Sequence, residues 1–117
     1  MSVDSTGNIY AAGYIKGNGA YNFGNNVTAA GAYSGGNNIV VVKYNPSGVA
    51  QWAQTVTSTS ASVASSFTSV SVDSNNNIYA VGAADEGVYN FGNGVTANSL
   101  QQYNVVLVKY SPSGVAQ

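Results

Sequence analysis

The sequence predicts an all-β fold built from a duplicated unit of short strands. Near-identical blocks recur in the same order along the chain, which is typical of proteins that stack copies of one structural unit. Within the blocks, β-branched and aromatic runs are bounded by Gly, Asn, Asp and Pro, and no run is long enough for an ordinary helix. We therefore expect antiparallel strands joined by tight turns.

Three blocks define the repeat. "VDSTGNIYAAG" (3–13) matches "VDSNNNIYAVG" (72–82) at an offset of 69, "YNFGNNVT" (21–28) matches "YNFGNGVT" (89–96) at 68, and "NIVVVKYNPSGVAQ" (38–51) matches "NVVLVKYSPSGVAQ" (104–117) at 66. The offset shrinks only in the connections rich in Gly and Asn, as expected for a repeated unit with variable loops. We expect a single domain, with repeat 1 at about 1–51, linking strands at 52–70 and repeat 2 at about 71–117.

Four strand types follow from these blocks. Type b is "NIYA", type c is "IVVVKY", type d is "WAQTV" (52–56) and type a is "SSFTSVSV" (65–72), so the chain reads b, c, d, a, b, c. The "YNFG" segments are expected to add a small hairpin between b and c. Type c is apolar on both faces, which predicts that it lies between two packed layers. The predicted core residues are Ile9, Val40, Val42, Trp52, Phe67, Ile78, Val106 and Val108.

Two kinds of turn separate the strands. Asp4 and Asp73 are predicted to cap the turns that lead into the b strands, and a proline followed two residues later by glycine closes each c strand. A calcium loop supplies several carboxylates at alternating positions, whereas each of these aspartates stands alone, so we assign no metal. The predicted turn residues are Asp4, Asn8, Pro46, Gly48, Asp73, Asn77, Pro112 and Gly114.

These motifs resemble a known repeat. The Asp-x-x-Gly-Asn-x-Tyr turn at 4–10 and the Lys-Tyr-x-x-x-Gly turn at 43–48, followed by Trp52, are similar to the bacterial β-propeller repeat of the seven-bladed type. The resemblance covers almost the whole chain and implies blades of four-stranded antiparallel sheets. The second copy departs from it at 75–77, "NNN", where Asn76 tolerates positive φ. Propellers host many unrelated functions, so the resemblance implies no particular activity.

The repeats predict about two incomplete blades per chain. A second full period would need a counterpart of residues 52–70, so one outer and one inner strand are expected to be missing. Unpaired strand edges invite pairing with another chain, and two repeats fall below the three that usually stabilise a stacked array. We therefore expect one of two situations. Either copies of the chain, a natural fragment or an engineered module, assemble head-to-tail into a ring or a filament, or the chain is a piece of a longer propeller.

Composition excludes several classes of function. The chain has three Lys, four acidic residues and no His, with a net charge of −1, so it offers no basic face for nucleic acid. No apolar run approaches the length of a membrane span. Without His or Cys, the many Ser and Thr residues have no imidazole base to activate them, so we predict neither an enzyme nor a cofactor. The abundance of Asn, Ser, Thr, Gly and Tyr favours an extracellular or cell-surface protein.

The "YNFG" segments are the candidate interaction surface. Flat rings beside amide groups on loops are typical of surfaces that bind glycans or proteins. Recurrence at the same place in each unit is equally what packing between neighbouring blades demands. Both interpretations stay open at this point, and the residues concerned are Tyr21, Asn22, Phe23, Tyr89, Asn90 and Phe91.

Overall fold

The computed structural model describes residues 1–59 and 63–117, and within these residues it is all-β, as predicted. Every pairing between its strands is antiparallel. The strands are β1 (Ser2–Val3), β2 (Ile9–Lys16), β3 (Ala20–Asn22), β4 (Thr28–Ala30), β5 (Asn37–Tyr44), β6 (Ala50–Thr55), β7 (Ser58–Thr59), β8 (Ser65–Val72), β9 (Ile78–Ala84), β10 (Gly87–Asn90), β11 (Thr96–Ser99) and β12 (Asn104–Tyr110).

Two main sheets contain the six predicted strands. Sheet 1 has the order β1-β2-β5-β6, and sheet 2 has the order β12-β9-β8. The b, c and d strands of the sequence are β2, β5 and β6, while the following a, b and c strands are β8, β9 and β12. Sheet 1 therefore has only the two-residue β1 where sheet 2 has the eight-residue β8. Among the residues that the structure describes, sheet 2 in turn has no full strand where sheet 1 has β6.

The predicted extra hairpin forms in both repeats. In repeat 1, β3 pairs with β4, and in repeat 2, β10 pairs with β11. The second hairpin gains a further strand, because β10 also pairs with β7, from the segment that leaves sheet 1. The sequence did not predict β7, since the two-residue segment "ST" carries no strand signal.

Each main sheet has two faces, which the strand register identifies. Directly opposed residues of an antiparallel pair lie on the same face. In sheet 1, Ala12 opposes Val41 on what we call the front face, and Ala11 opposes Val42 on the back face. The corresponding positions in sheet 2 define its front face, with Val105 and Leu107, and its back face, with Val106 and Val108.

The front face of sheet 1 packs against the back face of sheet 2. Tyr10, Ile39 and Val41 of sheet 1 share one buried cluster with Val106 and Val108 of sheet 2. β2 and β5 both lie against β8. A separate cluster covers the back face of sheet 1, where Val40 and Val42 pack against the first hairpin. The β5 strand is therefore buried on both sides, as its sequence predicts.

Trp52 fastens the two sheets together. Its indole Nε1 donates a hydrogen bond of 3.2 Å to the carbonyl oxygen of Pro112. Its ring lies 6.2 Å from that of Tyr10 and 6.5 Å from that of Tyr110, measured between centroids. A Cβ on Gly114 would lie 2.7 Å from the indole, so only glycine fits beneath it. At the equivalent Gly48, no atom lies within 4 Å.

Most of the predicted core residues are buried, and two of them, Ile9 and Trp52, are half-buried. Ile9 is only half-buried, while its neighbour Tyr10 is fully buried. Ile9 lies on the back face of sheet 1 outside the cluster that the first hairpin covers, whereas its counterpart Ile78 packs in the cluster between the two main sheets. Trp52 is half-buried and packs on the core. The buried members of the predicted set are Val40, Val42, Phe67, Ile78, Val106 and Val108.

Gly82 and Gly13 occupy the same repeat position and provide a test of how closely β8 lies beside β9. A Cβ on Gly82 would overlap the carbonyl oxygen of Ser66 and lie 2.6 Å from Cα of Phe67, beside the bulge in β8. Around Gly13, nothing lies within 4 Å. We expect G82A to lower the free energy of unfolding by about 2 kcal/mol or more, and G13A to change it by about 0.5 kcal/mol or less, in urea titrations. Equal losses in the two variants would contradict the packing of β8 against β9.

Candidate functional site

Apolar residues on the front face of sheet 2 are exposed. Val105 is 81% exposed and Leu107 is 64% exposed. Their counterparts in sheet 1, Ile39 and Val41, are both 0% exposed, because sheet 2 covers them. The same strand position is thus fully buried in one repeat and open in the other, although the side chains are similar.

The back face of sheet 1 shows the reverse difference. Ile9, Ala11 and Tyr44 are half-buried there. Their counterparts Ile78, Ala80 and Tyr110 are fully buried against sheet 1. The structure therefore contains one front-to-back interface and leaves the front face of sheet 2 open. The back face of sheet 1 is partly covered, because the first hairpin buries Val40 and Val42 there while Ile9 stays half-buried.

The two hairpins follow the same pattern. Tyr89 and Phe91 are buried, with ring centroids 6.5 Å apart, and Tyr89 is 1% exposed. Tyr21 is 40% exposed. Phe23 is half-buried against the back face of sheet 1. The rings are core where a neighbouring sheet and linking segment are present, and they are partly exposed where none is.

Hydrogen bonds explain the difference between the two tyrosines. The Tyr89 hydroxyl donates to the carbonyl oxygens of Ala64 at 2.9 Å and Asp85 at 3.0 Å. The Tyr21 hydroxyl donates to Lys16 O, the equivalent of Asp85 O, at 3.0 Å. Burial raises the pKa of Tyr89 to about 12, and the negative charge of Asp85 adds to this effect. The partner contributed by Ala64 comes from the linking segment.

The amide side chains of the hairpins serve the turns. Asn22 Oδ1 accepts a hydrogen bond from Gly24 N at 2.8 Å, and Asn90 Oδ1 accepts one from Gly92 N at the same distance. These are Asx turns, in which the side chain closes its own backbone loop. Their carbonyl-type oxygens are therefore already engaged, which weakens the interpretation of these residues as ligand-binding amides.

Asp4 organises the turn before β2. Its carboxylate accepts hydrogen bonds from Thr6 N at 2.9 Å, Asn8 N at 2.9 Å and the Tyr10 hydroxyl at 3.0 Å, among others. Burial raises the pKa of Asp4, but the hydrogen bonds from Asn8, Thr6 and Tyr10 together outweigh it and hold the pKa well below its usual range. Burial, followed by the neighbouring Asp4, raises the pKa of Tyr10 to about 12.

Asp73 repeats this arrangement before β9. Side-chain and backbone hydrogen bonds from Asn77 are the main cause of its lowered pKa, and Tyr79 adds to them. Asn76 has φ 64°, as the sequence allowed. Within the described ranges 1–59 and 63–117, no three His, Cys, Asp or Glu side chains form a group that could hold a metal ion.

The turns after the c strands also match between repeats. Gly48 has φ 79° and donates to Asn45 O at 2.9 Å, while Gly114 has φ 84° and donates to Ser111 O at 2.9 Å. Pro46 and Pro112 occupy the second positions of these turns. The turns differ at their first residue, because Asn45 Oδ1 accepts from Ser47 N and Val49 N, whereas Ser111 Oγ accepts from Val115 N. They also differ in surroundings, since only the second turn carries an indole from the other sheet.

Two small clefts open on the surface. One of about 260 Å³ is lined by residues that include Asn37, Ser65, Asp85 and Tyr103. The other, of about 200 Å³, lies beside Ala116 and the tip of the second hairpin. Neither lining contains a His, Cys or Lys that could activate a serine hydroxyl.

Comparison of the chain with known protein families, curated proteins and solved structures found no match. Among the residues that the structure describes, no helix is long and apolar enough to cross a membrane. Conclusions about function therefore rest on the geometry above.

The aspartate turns predict a pH dependence of stability. An unfolded Asp has a pKa of about 3.9, whereas the folded pKa values of Asp4 and Asp73 are lower. Their contribution is therefore present above pH 4 and is lost as the pH falls below about 4 toward the folded pKa values. In thermal melts, we expect D4N/D73N to be less stable at pH 7 and to lose less stability on acidification than the wild type. E86Q, in an exposed loop, is the control and should keep the wild-type slope; an unchanged slope in D4N/D73N would contradict this account.

The hairpin rings predict unequal effects of the same substitution. Y89A removes a buried ring and should lower the free energy of unfolding by about 3 to 5 kcal/mol. Y21A, at the matching position, removes a partly exposed ring and should cost about 1 kcal/mol or less. Urea titration of dilute samples, in which the chains are separate, measures both. A loss in Y21A as large as that in Y89A would show that the first hairpin is packed equally tightly.

Proposed function

We propose that this chain is a non-catalytic structural repeat module that self-assembles head-to-tail into a multi-chain β-propeller. The observation that carries the proposal is the exchange of burial between repeats. Several positions that are buried in one copy are exposed or half-buried in the other. The two less covered faces correspond to the two halves of the interface that already forms once within the chain.

A second copy supplies the chemistry that these faces need. The front face of sheet 2 offers Val105 and Leu107, while the back face of sheet 1 offers Ile9, Ala11 and Tyr44. The one charged residue on the front face, Lys109, has its ammonium 5.7 Å from the ring centroid of Tyr79. Lys43 has the same relation to Tyr10 at 5.6 Å and is compatible with the interface inside the chain. A cation at this position therefore does not oppose stacking.

The energy of stacking is large enough to matter. Burying on the order of 500 Å² on each face, at about 25 cal/mol per Å², contributes roughly 10 kcal/mol per face before the entropy of association is subtracted. Front-to-back contact joins two different surfaces, so it is heterologous and leads to a closed ring or to an open filament. A ring of blades is the propeller architecture that the repeat motifs resemble, and each chain contributes about two incomplete blades.

A second candidate function is recognition of glycan or protein by an extracellular propeller. The exposed fraction of Tyr21 and the exposed Asn22 beside it favour this candidate. It predicts binding to a glycan array that Y21A abolishes. The stacking proposal instead explains the exposure of Tyr21 by the absence of a neighbouring blade. Tyr89, which has such a neighbour within the chain, is buried.

A mixing experiment tests stacking and its direction. V105D/L107D charges the open front face, and V3D/A11D charges the open back face, where Val3 is 55% exposed. We expect the wild type to form oligomers in sedimentation velocity at micromolar concentration and each variant alone to be monomeric. An equimolar mixture should form heterodimers, because one variant keeps an intact back face and the other an intact front face. Circular dichroism establishes that each variant is folded, and V3D alone is the milder back-face alternative.

The other outcomes separate two failures. A wild type that is a cooperatively melting monomer at micromolar concentration overturns self-assembly. In the second case, the wild type and V3D/A11D both associate fully, and mixing the two variants does not increase association. This result overturns the head-to-tail direction, while self-assembly itself still holds.

A further inference from the structure

We propose that the outer edge of β12 is an acceptor site for an extended peptide strand with the chemistry of β6, an uncharged segment in which Trp is followed by Ala. This site lies along the edge of sheet 2 rather than on a face. It is therefore distinct from the stacking surfaces and does not depend on self-assembly.

The first rung of a fourth strand already forms at this edge. Tyr110 pairs with Ala116 in an isolated antiparallel bridge, and Gln117 N donates to Lys109 O at 2.9 Å. Sheet 1 has the same start, because Tyr44 pairs with Ala50. There the ladder continues along β6, whereas in sheet 2 the described residues provide no strand beside Val106–Val108. The ladder beside β12 thus starts in the register that β6 has beside β5.

Sheet 1 shows which strand completes the ladder. Trp52 opposes Lys43, Ala53 opposes Val42 and Thr55 opposes Val40. The β12 strand repeats β5 closely, with Lys109, Val108 and Val106 at these positions. An occupant in the same register would place its aromatic residue opposite Lys109 on the front face and its small residue opposite Val108 on the back face.

A cleft beside the edge fits the small residue. In sheet 1, Ala53 and Phe23 of the first hairpin both pack against the buried cluster that contains Val40 and Val42. In sheet 2, the matching space next to Phe91 is the cleft of about 200 Å³, which is also lined by Asn93 and Ala116. The second hairpin is held in place there as the first one is, since Asn93 Nδ2 donates to Ala116 O and Asn25 Nδ2 donates to Ala50 O. The walls of the site are thus formed before an occupant arrives.

The edge also lacks most of the features that block strand addition. Native edge strands are commonly protected by charges, prolines or bulges. β12 has the sequence "NVVLVKY", in which Lys109 is the one charged residue, and its pairing with β9 has no register shift. Backbone hydrogen bonds supply affinity in strand addition, and side-chain pockets supply selectivity.

Peptide binding tests the proposal directly. A fluorescent peptide with the sequence of residues 51–57, QWAQTVT, is titrated with the wild-type chain and, in parallel, with V3D/A11D, and its anisotropy is recorded. A peptide carrying A53P and Q54P is the matched control, because proline removes strand donors. We expect the control to bind about tenfold more weakly or worse. Amide hydrogen exchange should slow at Val106–Val108 when the unmodified peptide is added.

A chain extended at its C-terminus by Trp-Ala-Gln-Thr-Val-Thr locates the site without any core substitution. The added residues should occupy the edge of β12 in the same molecule, so the melting temperature should rise and peptide binding should be lost. Undiminished binding to the extended chain would place the peptide elsewhere, for example at β2, and would overturn the proposal. An extension that leaves the melting temperature unchanged would overturn it as well.

Discussion

The structure depends on the contact between the front face of sheet 1 and the back face of sheet 2. Neither sheet has a complete core of its own, since Tyr10, Ile39 and Val41 become buried only because Ile78 and Val108 lie opposite them. Burial of these apolar surfaces is the main stabilising contribution available to a chain with few charges and no disulfide. Trp52 adds a specific link to this contact, because its indole lies against Gly114 and donates a hydrogen bond to Pro112 O in the turn after β12.

Because the unit is repeated, the same front-to-back contact is geometrically available to further copies of the unit. Two copies of a unit that packs front to back always leave a front and a back uncovered, whatever the sequence of the loops. Differences in burial between residues at equivalent repeat positions therefore depend on which sheet lies next to them, not on the type of side chain. Tyr89 and Tyr21 illustrate this, because they belong to the same motif yet differ in exposure and in hydrogen-bond partners.

The sequence predicted the strands and turns well because their signals are local. Runs such as "IVVVKY" and the Asp4 turn contain their own hydrogen-bonding and periodicity information. The face on which each residue packs is not local, since it depends on the number of sheets and on their order. Ile9 and Ile78 have the same immediate context, and only the position of sheet 1 decides that Ile78 is buried while Ile9 is not. The short β7 strand escaped prediction for a similar reason, because the residues of β10 that pair with it are 30 and 32 positions away in the sequence.

The polar side chains explain why apolar faces and strand edges are the main surfaces left for interaction. Asn38 is fully buried, and its side-chain amide bonds within its own repeat. Its Oδ1 accepts a hydrogen bond from Tyr33 N at 2.8 Å, and its Nδ2 donates one to Gly17 O at 3.0 Å. Asp4 and Asn22 likewise close their own turns. Buried polar groups are usually paired, and most of the described ones are paired within their own unit. Two exceptions are Ser65 Oγ, which accepts from Ile39 N of the other sheet, and the Tyr110 hydroxyl, which has no partner among the described residues. Each unit therefore meets its neighbours mainly through packing and backbone hydrogen bonds, which are the interactions that a further copy or a further strand supplies.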